Sequence, residues 1–357
     1  MIMTTHQEQA FNILRGRIKN KEKYSLFYGY AGVGKTFVLG QLLQYLPRKV
    51  RFIAYTGAAA QQMKNRGLPA QTIHSLIKKP IVRNGECIGF SPAPREELEG
   101  IELIVVDEVS MLGEELLRDL AAYDIPLLLV GDPFQLQPVG EQANLLLNTK
   151  PHAFLEEVVR QALDSPIVWA ATEVREGREV PFGVYGEQDQ QLLVAPRGTA
   201  DESWYRRKDV QFICGLNNTR HEINHKVAQT HFIEPEHRII FLRNDFKMGV
   251  VNGTMAEVVQ LIPRGNYYLL SAILENGERV KNYPVILEHE KIHKRLYKVI
   301  KNQITLAYAV SCHKAQGRSI DKPMVIIDES GYFREERKNW QYVALTRATN
   351  KNVVWLK

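Results

Sequence analysis

Short apolar runs alternate with longer segments of helical spacing through the first third of the chain. Residues 24–28 read as a strand and residues 35–45 as the helix after it. Residues 50–55 read as a second strand, with a helix following through residues 58–64. Residues 103–107 and 127–131 are apolar until their last position, the pattern of parallel strands covered on both faces. Such an alternation predicts an α/β domain with right-handed crossovers, whose chemistry sits at the carboxyl ends of the strands.

The pattern changes twice. Between His74 and Leu103, Ile81-Val82-Arg83-Asn84-Gly85-Glu86-Cys87-Ile88 reads as a hairpin with an Asn-Gly turn, with Phe90 at its exit. In the second half, residues 210–213, 324–328 and 352–356 read as strands and residues 219–230 as a helix, again α/β. Within it, residues 239–299 carry short strands and tight turns, including Asn252-Gly253 and Asn276-Gly277, and predict a small inserted β-barrel. Residues 177–207 have no clear period and are expected to be loop plus a short helix. The expected organisation is therefore a first α/β domain over 1–150 with the hairpin at about 79–95, a second over 151–238 and 300–357, and the barrel over 239–299.

Composition narrows the class only a little. The 357 residues are 45% hydrophobic and 24% charged, ordinary for a soluble globular protein. No apolar run reaches the ~20 residues that span a bilayer, and the N-terminus lacks a signal-peptide pattern. Both point to a cytoplasmic protein with no membrane partner. The three cysteines form no CxxC pair, which argues against a disulfide framework or thiolate metal site. His221 with His225, and His289 with His293, share helical spacing, but no third or fourth ligand is placed to complete a metal site. The net charge of +6 is compatible with a phosphate-backbone partner.

The motifs carry more. Gly29-Tyr30-Ala31-Gly32-Val33-Gly34-Lys35-Thr36 is a P-loop between a strand and a helix. Its backbone N–H groups, Gly32 and Gly34 among them, cradle phosphates; Lys35 reaches the β- and γ-phosphates, and the Thr36 hydroxyl ligates Mg²⁺. ATP and Mg²⁺ are the expected cofactors. Asp107 would hold the Mg²⁺, directly or through water, and Glu108 would act as general base on the attacking water. Gln135, after Gly131-Asp132, is placed to contact a γ-phosphate or that water. Arg160 and Arg347 are candidate arginine fingers, a role worth about 10³–10⁵ in rate.

Taken in order, these motifs resemble the superfamily-1B DNA helicases, specifically the RecD-like and Dda-like group of bacteria and phages, over nearly the whole chain. Thr5-His6-Gln7 with Ala10-Phe11 resembles the Q motif, and residues 54–60 resemble motif Ia. Thr72-Ile73-His74-Ser75-Leu76 resembles the TIHS element. Motifs II and III correspond to residues 107–111 and 131–139, and motif IV to Glu157-Val158-Val159-Arg160 with Ser165-Pro166-Ile167. Residues 311–317 resemble motif V and 342–347 motif VI.

The resemblance implies two RecA-like motor domains with ATP between them, an SH3-like barrel, and a hairpin acting as a strand-separating pin. It implies ATP-dependent 5′-to-3′ travel on single-stranded DNA with duplex unwinding. Gln7, Gln316 and Gly317 become nucleotide contacts; Thr56, His74, Asn218, Ser311 and His313 become DNA contacts. Single strands and single-strand/duplex junctions are the implied partners, with replication or recombination proteins beyond them, and the motor is implied to be a monomer in a bacterial cell or phage-infected host. Phe90 is either a wedge that stacks on a base, worth about 1–3 kcal/mol per base, or a residue that packs the hairpin down. Relative to the group, the second domain is short and the barrel carries no long arch. Two rivals stay open: a translocase that does not unwind, and a P-loop kinase or ATPase that is no motor.

Overall fold

The computed structural model describes residues 3–83, 86–137, 148–158, 164–187, 189–245, 248–290, 300, 302–349 and 352–357. The chain divides into two compact units. The first comprises Met1–Tyr55, Ala59–Glu179 and Lys338–Thr346; the second comprises Thr56–Ala58, Val180–Arg337 and Arg347–Lys357.

In the first unit, helix α1 (Thr5–Lys19) opens with a capping box in which Thr4 and Gln7 satisfy each other's backbone N–H. Strand β1 (Tyr24–Gly29) leads to α2 (Lys35–Leu42), and β2 (Val50–Ala54) to α3 (Gly57–Asn65). Then come β3 (Ala70–Thr72), α4 (Ile73–Ile77), the hairpin β4 (Lys78–Arg83) and β5 (Glu86–Pro92), β6 (Leu103–Asp107), α5 (Glu114–Ala121), β7 (Leu127–Gly131), β8 (Ala153–Leu155) and α6 (Pro166–Glu176).

The sheet order is β3-β2-β6-β7-β1-β8, and its strand pairs are parallel. Along β1, Phe27 faces one apolar cluster with Leu14, Val38 and Leu128. Its neighbours Leu26 and Tyr28 face another with Ile53, Val106 and Leu120. Two buried faces account for the unbroken apolar runs. The first unit extends past residue 150, where the sequence suggested a boundary, because β8 pairs with the free side of β1.

The second unit holds β9 (Gly183–Glu187), β10 (Gln190–Ala195), β11 (Gln211–Cys214) and α7 (Asn217–Ala228). The barrel follows as β12 (Arg238–Phe241), β13 (Met255–Pro263), β14 (Tyr268–Leu274), β15 (Arg279–Leu287) and β16 (Asn302–Leu306). The chain then returns through β17 (Ala309–Ser311), α8 (Cys312–Ala315), β18 (Met324–Ile327), α9 (Arg337–Leu345, mostly in the first unit) and β19 (Val353–Leu356). The sheet order is β17-β11-β18-β19-β10-β9, with only the β9–β10 pair antiparallel among the described residues.

The stretch 177–207, expected to be loop and helix, instead forms this β9–β10 hairpin and short 3₁₀ turns. Glycines at 183 and 186 interrupt the alternation of β9, so no strand period is visible there in the sequence.

The five barrel strands close on themselves. In β13, Ala256 and Val258 point inward and Glu257 outward, the period-2 pattern of a strand with one wet face. Phe241, Leu270, Tyr283 and Ile304 fill the interior. The Tyr283 hydroxyl donates to Asp245 Oδ2 at 2.8 Å, which satisfies a polar tip brought inside.

Phe241 has no exposed surface. Phe241→Ala is expected to cost about 3–5 kcal/mol, read as faster amide exchange in β13 and β14 together with a lower urea midpoint. A loss below about 1 kcal/mol would show that the barrel refills the space.

Candidate active site

The first unit gathers a polar site at the carboxyl ends of β1, β6 and β7. The register sets this: Tyr28 lies beside Gly131 and Val106 beside Leu129, so the three strands end nearly level.

After β1 the phosphate loop turns through two left-handed glycines, Gly32 (φ 76°) and Gly34 (φ 87°), and enters α2. Gly29 is required for a different reason. A β-carbon there would lie 2.9 Å from Val33 Cγ2 and 3.0 Å from the Leu155 carbonyl oxygen. Lys35 Nζ donates to the carbonyls of Gly29 and Tyr30, the latter at 2.8 Å. The buried Gln7 donates its amide to the Val33 carbonyl at 3.0 Å and accepts the Thr4 N–H at 3.0 Å. Gln7 thus braces the loop from α1.

Thr36 opens α2, and Arg66 Nη1 lies 3.5 Å from its hydroxyl. Burial pushes the Asp107 carboxyl above its ordinary range, while the Glu108 N–H and the charges of Lys35 and Arg66 pull it down. The Thr36 hydroxyl and the Asp107 carboxylate therefore both lie within the field of Arg66. That corner of oxygen donors attracting cations fits a hard divalent ion.

Glu108 takes up the left-handed backbone region (φ 56°, ψ 43°), unusual for a non-glycine residue, and its N–H donates to Asp107 Oδ1 at 2.9 Å. A short 3₁₀ turn, Val109–Met111, follows. Gly131 allows this turn to approach β7, since a β-carbon there would stand 2.6 Å from Val109 Cγ1. The Ser110 hydroxyl then donates to Gln135 Oε1 at 3.3 Å. Lys35, Thr36, Asp107, Glu108 and Gln135 thus belong to one constellation, with Gln7 behind it.

Sequence reading did not single out Tyr342 in this constellation. Its hydroxyl accepts the Ala31 N–H of the phosphate loop and donates to Asp132 Oδ2, each at 2.6 Å. A tyrosine inside the apolar run Tyr342-Val343-Ala344-Leu345 looks like core, and only its place in the motif VI segment marked it.

Other sequence-derived positions are more dispersed. His74 is exposed on α4, its ring 6.3 Å from that of Tyr55. Phe90 on β5, opposite Pro80, is 58% exposed. The hairpin's root is tied by Lys78 to Asp119, by Lys79 to Glu97, and by Tyr123, whose hydroxyl donates to the Ala93 carbonyl at 2.8 Å. The Asn84-Gly85 tip and Arg160 lie outside the described residues.

The second unit carries Thr56, Asn218, Ser311, His313, Gln316, Gly317 and Arg347. Ser311 caps α8 by accepting the Lys314 N–H at 3.4 Å. Burial lowers the pKa of His313, so its ring is neutral at pH 7; the ring stands 5.9 Å from that of Phe333. Gln316 is buried, and Gly317 takes a positive φ of 74°. The buried Arg347 donates through Nη1 to the Arg318 carbonyl at 3.1 Å.

Asn218 is exposed in the first turn of α7, whose entry is held by Glu329. That buried carboxylate accepts from the N–H groups of Gly215 (2.8 Å) and Leu216 (2.7 Å), from the Thr219 hydroxyl (2.6 Å) and from Arg197 (2.9 Å). Asp328-Glu329 repeats in the second unit the acidic pair that ends an apolar strand in the first, which was the signal for it in the sequence.

Known proteins resemble this chain along its whole length. The AAA domain family matches residues 3–191, and the UvrD-like helicase C-terminal domain matches residues 306–355. The ATP-dependent DNA helicase Pif1 of Campylobacter jejuni is 24% identical over 397 aligned positions, covering 91% of this chain and 87% of that protein. The ATP-dependent DNA helicase dda of phage T4 is 31% identical over 191 positions, covering 49% of this chain and 43% of its own length. Among solved structures, two coordinating Pif1 helicases on forked double-stranded DNA give a TM-score of 0.63 at 20% identity, covering 99% of this chain and 92% of theirs. The fold is thus that of Pif1-type proteins, with RecA-like α/β domains and a closed small barrel.

The left-handed backbone at Glu108 has a measurable consequence. Glu108→Gly and Glu108→Ala both remove the carboxylate, but only glycine relieves the strain. Thermal denaturation should find the glycine variant the more stable by about 1 kcal/mol. Equal stability would mean that the backbone relaxes once the side chain is gone.

Proposed function

The chain belongs to the AAA domain family, and on that premise we propose that it is an ATP-dependent DNA helicase that travels 5′ to 3′ on single-stranded DNA. The observation that carries this reading is the constellation of Lys35, Thr36, Asp107, Glu108 and Gln135 at level strand ends of one parallel sheet. The helicase relatives that span nearly the whole chain support it.

ATP phosphates settle on the backbone N–H groups of the phosphate loop and the start of α2. Lys35 exchanges the Gly29 and Tyr30 carbonyls for phosphate oxygens. Thr36 and Asp107 are the residues that would hold Mg²⁺, whose role there is to neutralise phosphate charge. Glu108 draws the proton from the attacking water, and Gln135, steadied by Ser110, orients that water. Arg347, with Arg160 as a further candidate, supplies guanidinium charge as phosphoryl transfer proceeds. Gln7, Gln316 and Gly317 complete the proposed nucleotide contacts.

Thr56, His74, Asn218, Ser311 and His313 form the proposed single-strand contacts. A neutral His313 offers hydrogen bonding and a ring face rather than charge. Phe90, exposed on its hairpin, is the proposed wedge at the junction where strands part. Each base pair opened disrupts stacking worth about 1.4 kcal/mol, so an aromatic surface that receives an unstacked base offsets part of that cost.

Strand separation on matched duplexes with a 5′ or a 3′ single-stranded tail, with ATP and Mg²⁺, tests the reading. Opening of the 5′-tailed duplex alone is expected. Opening of the 3′-tailed one would reverse the assigned direction. DNA-stimulated ATPase without opening of either would leave a translocase, and no stimulation by DNA would remove the motor altogether.

Phe90→Ala should slow unwinding about tenfold or more while single-strand-stimulated ATPase stays within about twofold, consistent with loss of one base stack. An equal loss of both activities would refute the wedge.

A further inference from the structure

Tyr342 is 2% exposed and Asp132 1% exposed, yet neither belongs to the apolar core around them by chemistry. They form a directed chain of hydrogen bonds. The Ala31 N–H donates to the Tyr342 hydroxyl at 2.6 Å, and that hydroxyl donates to Asp132 Oδ2 at 2.6 Å. The other Asp132 oxygen accepts the Phe134 N–H at 3.0 Å, and the Asp132 carbonyl accepts the Gln135 N–H at 3.2 Å. Asp132 is therefore the residue that shapes the turn presenting Gln135.

The Tyr342 ring is held edge-on to Phe134 with centroids 5.2 Å apart, and Asn339, one helical turn earlier on α9, donates to the Phe134 carbonyl at 2.9 Å. Burial and the neighbouring Asp132 charge both push the phenol pKa well above its ordinary value. The hydroxyl thus keeps its proton, and the direction of the chain is fixed.

We infer that Tyr342 is a positioning residue for ATP hydrolysis: its hydroxyl couples the Ala31 arm of the phosphate loop to Asp132 and, through that turn, to Gln135. The inference rests on the helicase reading above and adds a residue to it. The physical basis is preorganisation. A loop arm held before nucleotide arrives need not be ordered during the reaction, and an amide aimed at water is useful only if its turn is held in register with the phosphates. A buried carboxylate that accepts an O–H bond is also a strong anchor, because losing the donor leaves charge unsatisfied.

Tyr342→Phe removes one oxygen and keeps the ring. In this variant the Ala31 amide should exchange with solvent at least about tenfold faster, read on the peptide spanning the phosphate loop. DNA-stimulated kcat should fall about tenfold or more while KM for ATP changes less than about threefold, the signature of an interaction that matters in the transition state. Asp132→Asn, which preserves shape, should reproduce much of the kcat loss. Adding it to Tyr342→Phe should bring little further loss, since both act through one bond.

A lowered melting temperature with kcat and amide exchange unchanged would make Tyr342 a packing residue and overturn the proposal, as would additive losses in the double variant. A wild-type protein without ATPase activity would defeat the helicase reading itself. A Tyr342→Phe variant equal to an active wild type in kcat would defeat only this inference.

Discussion

The parallel register of β1, β6 and β7 is the constraint from which the site follows. A parallel strand covered on both faces has no position for a polar side chain until it leaves the sheet. In β6 the first such position is Asp107, and in β7 it comes after Gly131. Because the strands are paired so that Tyr28 meets Gly131 and Val106 meets Leu129, those exits fall side by side. The apolar core thus concentrates the polar residues of β6 and β7 at the strand ends; Ser25, buried early in β1, is an interior exception whose hydroxyl accepts from Arg17 Nε at 3.2 Å.

Concentration alone would leave a floppy, solvated loop. The phosphate loop is instead held at successive points: by its own Lys35 on the carbonyls of Gly29 and Tyr30, and from outside by Tyr342 on the Ala31 N–H and Gln7 on the Val33 carbonyl. Arg175 adds to this by lying over the Tyr30 ring, 3.8 Å from its centroid. These contacts order the loop during folding, so little conformational entropy remains to be lost on binding. They also differ in kind. The Gln7 bond engages a carbonyl, which phosphates do not displace, and the Tyr342 bond an N–H, whereas Lys35 must release its two carbonyls to reach an anion.

How legible this was in the sequence depends on which force set each feature. The sheet strands were readable because two buried faces demand unbroken apolar runs, and the phosphate loop because its glycines meet steric demands at Gly29, Gly32 and Gly34. Strand β9 was not, because glycines at 183 and 186 break its alternation and Val184 is 58% exposed, leaving no apolar face to count. Tyr342 was hidden for the opposite reason. It is a single polar group inside an apolar run, and its importance, like that of Glu329, lies in partners more than a hundred positions away in the chain, at Asp132 for Tyr342 and at Gly215 and Leu216 for Glu329. Spacing along a chain cannot report a hydrogen bond of that range. It registers only when a local rule is broken, as by a second acidic pair at the end of an apolar strand.

Two departures from local rules fall on residues for which chemistry is proposed. Glu108 occupies a backbone region that costs a non-glycine residue roughly 1–3 kcal/mol, and the fold retains it in the turn that brings Ser110 to Gln135. Phe90 leaves more than half of an aromatic side chain in water, on a hairpin that pairs with no further strand among the described residues. Hairpins of two strands are marginal in isolation, and this one is secured at its root by ion pairs and Tyr123 rather than by Phe90. An apolar surface left more than half in water is one available to a partner, and a flat aromatic face suits an unstacked base. The same reasoning separates the two departures: the Glu108 strain is internal and its release should be visible in the free protein, whereas the exposure of Phe90 acquires meaning only when nucleic acid is present.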